Sequence, residues 1–334
     1  MISKRIIAVF FLIALIAGTA FILSRSHYRT SEGRIFGTTY RVKYAATQDL
    51  AQEILEELLK IDAALSIFND TSTISRFNRN EPYQPNELFT EVVRLSLDVA
   101  KQTDGAFDIT VAPLVNAWGF GFKHRDQVTQ SLVDSLLTFV GYQRLSLEEK
   151  ELTKQDSRIT IDGGAVAKGY AVDRVAKLLS KKGCTNYMVE VGGEVVLKGK
   201  NPDGRLWSLG INTPIEDSTN NNASLQAILQ LTNKAIATSG NYRNFYYNNG
   251  RKYAHTLSPI TGYPVEHSLL SATVIAPSCA KADAIATALM VMGTDKAKAF
   301  ADKQKDIDIY LIFADDNGNL HTWQSQGMQK YLQK

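Results

Sequence analysis

The chain has 334 residues, 44% of them hydrophobic and 21% charged, which is a globular composition with length for one large or two ordinary domains. Its formal net charge is +3, but Lys4, Arg5, Arg25 and Arg29 lie in an acid-free first segment; the other 33 cations face 34 acids, and this balance calls for no nucleic-acid-binding face. Two cysteines, Cys184 and Cys279, are too few for a disulfide scaffold or a cysteine metal centre and read as small core residues, with a single bridge left open.

Residues 6–23 carry no charge and are flanked by Lys4, Arg5 and Arg25. Eighteen residues at about 1.5 Å each nearly match a bilayer core of roughly 30 Å, so the run reads as a signal anchor or the apolar region of a signal peptide. Gly18-Thr19-Ala20 could serve a cleavage site, but apolar residues continue to Leu23, which favours the uncleaved anchor. Either reading exports the rest of the chain, and sets a boundary between residues 1–30 and a domain at 31–334.

Residues 34–44 predict the first strand, and the spacing of Leu50, Ile54, Leu58, Ile61 and Leu65 predicts a helix over 48–66. A polar, turn-rich stretch through Ser75-Arg76-Phe77-Asn78 leads to a helix over 86–102, with Asn86 as N-cap and Gly105 just past its end. Residues 103–121 crowd acids, glycines and aromatics into a connecting stretch, where function tends to collect. A helix near 129–138 precedes a short apolar strand at 158–161, a turn through Gly163 and Gly164, and a helix over 166–182 stopped by Gly183. From 186 to 276 the pattern is short β segments, at 187–191, 194–198, 207–211, 225–231, 235–238 and 271–276, with a hairpin through Asn248-Asn249-Gly250 and a loop tip at Asn220, Asn221 and Asn222. A helix over 279–292 capped by Gly293, a further helix, and a hairpin at 308–314 and 320–323 close the chain. Helices and strands come in blocks without regular βαβ units or a linker, which predicts a single α+β domain with a mixed, largely antiparallel sheet and packed helices, preceded by the transmembrane or signal segment.

Three features carry chemistry. The glycine turn after Asp162, running into a helix with an early Lys168, is an anion or phosphate seat, although it lacks both the Walker order and a dinucleotide fingerprint. Asp283 and Thr287, four residues apart in an apolar helix, put a carboxylate and a hydroxyl on one face, where a hard cation such as Mg²⁺ would compensate the buried charge. His255 precedes a turn with Pro259, Thr261 and Gly262, a setting that His27, His124, His267 and His321 do not share.

Together these stretches resemble the FAD:protein FMN transferases, the ApbE family. The likeness covers residues 34–323 and rests on ordered motifs: Phe36-Gly37-Thr38-Thr39-Tyr40, Ser75-Arg76-Phe77-Asn78, residues 103–111, residues 162–173, Thr238-Ser239-Gly240-Asn241-Tyr242, residues 255–262 and residues 282–289. The resemblance implies Mg²⁺ held by Asp283, Thr287 and the carbonyl of Ala165, and FAD as substrate contacted by Phe36, Phe68, Ala106, Phe107, Asp108, Asp162, Lys168 and Leu257. Many relatives carry Tyr at position 68 and an acid at 258. It further implies transfer of FMN to a Thr or Ser hydroxyl with release of AMP, with His255 and Asp283 as the catalytic candidates. Acceptors would be subunits of membrane redox complexes or other exported flavoproteins. The anchor then puts the enzyme on the inner membrane, single-pass, with its catalytic domain on the periplasmic side. A Mg²⁺-dependent FAD pyrophosphatase and a non-catalytic flavin carrier are the competing readings.

Overall fold

Phe36 and Gly37 both take left-handed backbone angles, with φ of 52° and 72°. Two such residues make the tight turn that matches the twist of an antiparallel pair, so the run expected as one strand is a hairpin: β1 (His27–Ile35) pairs with β2 (Thr38–Ala46). In the computed structural model, residues 27–120, 128–214, 224–241, 245–248 and 251–333 are described. The anchor at 6–23, His124, Gly121, Asn220 to Asn222, and Tyr242 lie outside them. β1 begins four residues before the expected boundary at 30/31, so the sheet takes in residues 27–30. Among the described residues no helix is long and apolar enough to cross a membrane.

After the hairpin come α1 (Ala51–Leu65), α2 (Thr73–Asn78) and α3 (Glu87–Gln102). The Ser72 hydroxyl caps α2 by accepting from Ser75 N–H, and Asn86 caps α3 by accepting from Phe89 N–H. A 3₁₀ turn over Ile109–Val111 continues into α4 (Ala112–Ala117), with Pro113 in the first turn where its missing N–H costs nothing. Then follow α5 (Gln130–Leu137), the hairpin β3 (Leu145–Glu148) and β4 (Glu151–Lys154), and α6 (Ala167–Lys181). The second half contributes β5 (Tyr187–Val191), β6 (Glu194–Lys198), β7 (Trp207–Asn212), β8 (Leu225–Leu231), β9 (Lys234–Gly240), β10 (Phe245–Asn248), β11 (Arg251–Ala254), β12 (Leu269–Ala276), α7 (Cys279–Met292), α8 (Thr294–Asp302), β13 (Asp308–Ala314) and β14 (Leu320–Gln324).

Eight strands form one sheet in the order β1-β2-β5-β6-β9-β12-β13-β14, and its ladders are antiparallel throughout. The α+β expectation therefore holds, while the parallel pairing implied by a mixed sheet does not occur among the described ladders. On one face the main core gathers Ile54, Leu58, Phe89, Val175, Leu179 and Leu289 from the helices. The other face is covered by the β7–β8 ladder and the C-terminal turn, through Trp207, Ile211, Leu229, Leu231, Met328 and Tyr331. α7 is apolar nearly all round and lies inside the fold, as such a helix must. Cys184 and Cys279 are both buried free thiols with no bridge between them.

The strand expected at 158–161 is absent. Ile159 and Ile161 are buried, as alternating strand residues would be, but the backbone joins no sheet. Instead the Asn78 amide takes the place of a neighbouring strand: Oδ1 accepts from Ile161 N–H at 2.8 Å and Nδ2 donates to the Ile161 carbonyl at 2.9 Å. Asp162 N–H then donates to the Ile109 carbonyl at 2.7 Å.

Candidate functional site

A cavity of about 820 Å³ opens where the β1–β2 turn, the loop after α1, the 106–111 stretch, the glycine turn, β7, the end of β9, the loop after β11 and α7 converge. That volume suits a sizeable organic ligand. Phe36, Phe68, Ala106, Phe107, Asp108, Asp162, Ala165, Lys168, His255, Leu257, Asp283 and Thr287, every residue singled out from the sequence, line it.

Its floor is set by the junction of α6 and α7. In the first turn of α7, Asp173 accepts from Cys279 N–H (2.8 Å) and Ala280 N–H (2.9 Å), while the Ser278 hydroxyl accepts from Lys281 N–H. The helix-start donors that lack intrahelical acceptors are thereby satisfied. In return Asp283 Oδ2 accepts from Gly169 N–H, an orphan donor in the first turn of α6, at 3.1 Å. Ala165 lies one residue before the N-cap Val166, so its carbonyl precedes the helical ladder, and the residue lines the cavity. One turn beyond Asp283, Thr287 Oγ1 is 3.2 Å from Ser239 Oγ on β9.

Asp283 is 3% exposed and Glu194, at the start of β6, is equally enclosed. The Lys168 ammonium is 2.6 Å from Glu194 Oε1 and 4.0 Å from Asp283 Oδ1. Burial raises the Asp283 pKa against the opposing pull of Lys168 and the Gly169 N–H. Burial, then the charge of Asp283, pushes Glu194 up to about 7 despite Lys168. Burial works against the Lys168 ammonium too, but Asp283 and Glu194 outweigh it and hold its pKa above the usual value. One cation thus serves two desolvated acids, whose carboxyl oxygens meet at the floor. Oxygen donors of that kind fit a hard divalent cation such as Mg²⁺.

The organic part of the cavity is formed differently. Phe68, 75% exposed, presents its ring at the surface, while Phe36, in the hairpin turn, is half-buried and packs against the main core at the cavity edge. Leu257 is buried against Leu114, Trp118 and Val133. The loop carrying it is closed by Gly262 N–H to the Ser258 carbonyl and Ser258 N–H to the Tyr263 carbonyl, and tied down by Trp118 Nε1–H to the Gly262 carbonyl at 2.8 Å. Ser258 Oγ accepts from Thr261 N–H, a turn-closing task that an acid at this position would also perform. His255 lines the cavity with its ring edge-on to Phe120 at 6.5 Å between centroids.

Two of the residues do structural work of their own. Asp108 Oδ1 accepts from the N–H and hydroxyl of Thr110, and Oδ2 accepts from Tyr142 N–H, so both oxygens already bind protein. Burial raises its pKa against those bonds. Asp162 Oδ1 accepts from Gly164 N–H at 2.7 Å and fixes the glycine turn. Burial raises its pKa as well. Glu194, Ser239, Asn78 and Gly169 received no role from the sequence. An acid opening the otherwise apolar strand start Glu194-Val195-Val196-Leu197 was the available signal for the first.

The sequence model of the ApbE family matches residues 36–311. The FAD:protein FMN transferase of Haemophilus influenzae is 36% identical over 332 residues, covering 94% of this chain and 95% of its own length. The Escherichia coli K12 protein of the same name is 34% identical over 315 residues, covering 90% and 88%. Among solved structures, the flavin transferase ApbE from Vibrio cholerae matches with a TM-score of 0.83 at 34% identity, over 92% of this chain and 100% of that one. The apo form of the Pseudomonas stutzeri flavinyl transferase ApbE matches with a TM-score of 0.82 at 32% identity, over 92% and 97%.

Proposed function

The chain belongs to the ApbE family, and we propose that it is an FAD:protein FMN transferase that moves the FMN half of FAD onto a Thr or Ser hydroxyl of an acceptor protein and releases AMP. The observation that carries this reading is the convergence on one cavity of two phenylalanine rings, one exposed and one half-buried, a glycine turn at a helix start, and a floor of buried carboxylates around Lys168.

In the transfer, the acceptor oxygen forms a bond to the FMN-side phosphorus and the bond from that phosphorus to the bridging oxygen breaks. AMP leaves with the bridging oxygen and the electron pair. Such chemistry depends on positioning and on neutralising phosphate charge. Phe36 and Phe68 offer rings for the flavin, and Asp162 keeps the glycine turn in the shape that admits phosphates close to backbone. Lys168 contributes a fixed positive charge at the floor. His255, at the cavity wall, is the candidate to take the acceptor proton. Asp283, Thr287 and the Ala165 carbonyl would hold Mg²⁺, which supplies charge neutralisation at the phosphates when bound.

The charge-free run at 6–23 supports the remainder of the proposal: a single-pass inner-membrane protein with its catalytic domain on the periplasmic side. Confinement to that plane favours acceptors that are subunits of membrane redox complexes.

The test is to incubate the protein with FAD, Mg²⁺ and a flavin-acceptor protein. The expected result is an FMN-sized mass increment on the acceptor with matching AMP. Free FMN and AMP without an adduct would instead identify a pyrophosphatase, and retained FAD without AMP a carrier. Normal transfer by Asp283→Ala would sink the metal assignment, and an unchanged single-turnover rate in His255→Ala would remove the proposed base.

A further inference from the structure

Glu194 is a buried acid to which the proposed reaction gives no task. It follows Gly192 and Gly193, whose φ values of 62° and 105° make the tight β5–β6 turn. Pairing of β6 with β5 on one side and β9 on the other fixes its backbone. One carboxylate oxygen contacts Lys168, while Oε2 is sealed from solvent and has no hydrogen-bond partner among the described residues. A desolvated carboxylate with an unsatisfied oxygen is a cost to the fold, so its presence calls for a reason.

The Lys168 side chain shows one. A Cβ on Gly192 would fall 3.2 Å from Lys168 Cδ, so the lysine stem lies directly over this glycine. Its ammonium then meets Glu194 at 2.6 Å and stops 4.0 Å short of Asp283. The glycine gives the stem room and the acid anchors the head. Without that anchor, Lys168 and Asp283 would be left as a buried pair of opposite charges, and an ion pair in a low-dielectric site would have to be broken before a cation could bind there.

We propose that Glu194 is a positioning residue that holds the Lys168 ammonium away from Asp283 and so keeps the Asp283 carboxylate available to a divalent cation. The inference rests on the reading of Asp283 as a metal ligand. It makes Glu194 a determinant of metal affinity through Lys168, without contact to the metal.

The experiment is calorimetric titration of Mg²⁺ into the full chain without FAD, with thermal unfolding to check each variant. Glu194→Gln is expected to weaken Mg²⁺ binding by about 10–100-fold, the scale on which residues behind metal ligands act. Glu194→Asp keeps the charge but withdraws the carboxylate by one methylene, and is expected to weaken binding as well. Adding Lys168→Met to Glu194→Gln removes the competing ammonium and should restore the affinity. Wild-type affinity in Glu194→Gln, or in Glu194→Asp, overturns the proposal. If the Glu194 variants do not fold, Lys168→Met alone decides: it should bind Mg²⁺ at least as tightly as wild type, and weaker binding overturns the proposal. No binding by the wild-type chain, or equal binding by Asp283→Ala, overturns the metal-site reading itself.

Discussion

Gly169 on α6 lies so close to Cys279 on α7 that a Cβ at position 169 would fall 2.4 Å from the Cys279 carbonyl oxygen. Its backbone is helical, so the glycine is required by the approach of the two helices. The same residue donates its N–H to Asp283, and one turn later Asp173 caps α7. Backbone contact at this crossing therefore ties the glycine turn to the helix that bears Asp283 and Thr287. Gly169→Ala must push the helices apart, at about 1–3 kcal/mol for an overpacked contact. A lower thermal midpoint is expected together with weaker Mg²⁺ binding by calorimetry. A variant with both unchanged would show that the junction does not set the floor.

The Phe36 turn makes a separate prediction. Left-handed backbone costs a residue with a Cβ about 1–2 kcal/mol, and Asn tolerates it best among the non-glycine residues. Phe36→Ala and Phe36→Asn both lose the ring, and both are expected to weaken FAD binding in a fluorescence titration. The Asn variant should nevertheless be more stable than the Ala variant, by about 0.5–1 kcal/mol in denaturant unfolding, because Asn followed by Gly37 suits this turn. Equal stability would mean that the turn is not strained. Unaltered FAD affinity would remove Phe36 from the ligand contacts.

Asp173 predicts a pH dependence. Burial, with a smaller push from Asp283, raises its pKa to about 6 against the bonds from Ala280 and Cys279. In the unfolded chain the group titrates near 3.9. Between these values the native state binds more protons than the unfolded state, so stability falls as pH rises. The contribution is present in full below about pH 4 and is lost as pH passes through about 6, and is worth roughly 3 kcal/mol at most. Asp173→Asn has no such titration. Its stability relative to wild type is expected to rise between pH 4 and pH 7 in denaturant unfolding, and a flat difference would mean that Asp173 titrates normally in the fold.

Much of this arrangement was legible because local pattern and tertiary structure agree. Ile54, Leu58, Ile61 and Leu65 share one helical face and that face is buried, and Asn86 does cap its helix. The four-residue spacing of Asp283 and Thr287 directs both side chains to the cavity. Failures occurred where the partner is distant or the site overrides propensity. Alternating Ile159 and Ile161 report a buried side, but alternation is silent about which group bonds the backbone. Phe36 is a poor turn residue, and the turn was hidden inside a β-rich run. Glu194 after two glycines resembles a solvated turn acid, and only the folded arrangement brings Lys168 against it. The family motif around Ser75 to Asn78 was visible without its reason, since the bond from Asn78 reaches 83 residues along the chain.

That bond gives the last prediction. Asn78 satisfies both the N–H and the carbonyl of Ile161, next to the residue that fixes the glycine turn. Asn78→Ala leaves both groups without their partner, at about 2–4 kcal/mol if water does not replace it. Asn78→Asp keeps an acceptor for the N–H but sets a carboxylate oxygen against the Ile161 carbonyl, so it too should destabilise. Because the segment has no ladder of its own, the loss should concentrate there: faster amide hydrogen exchange at 159–165 than in β5 or β9, and weaker FAD binding. Uniform acceleration across the domain would make Asn78 a general stability residue. Unchanged exchange at 159–165 would show that the buried Ile159 and Ile161 side chains hold the segment without the amide.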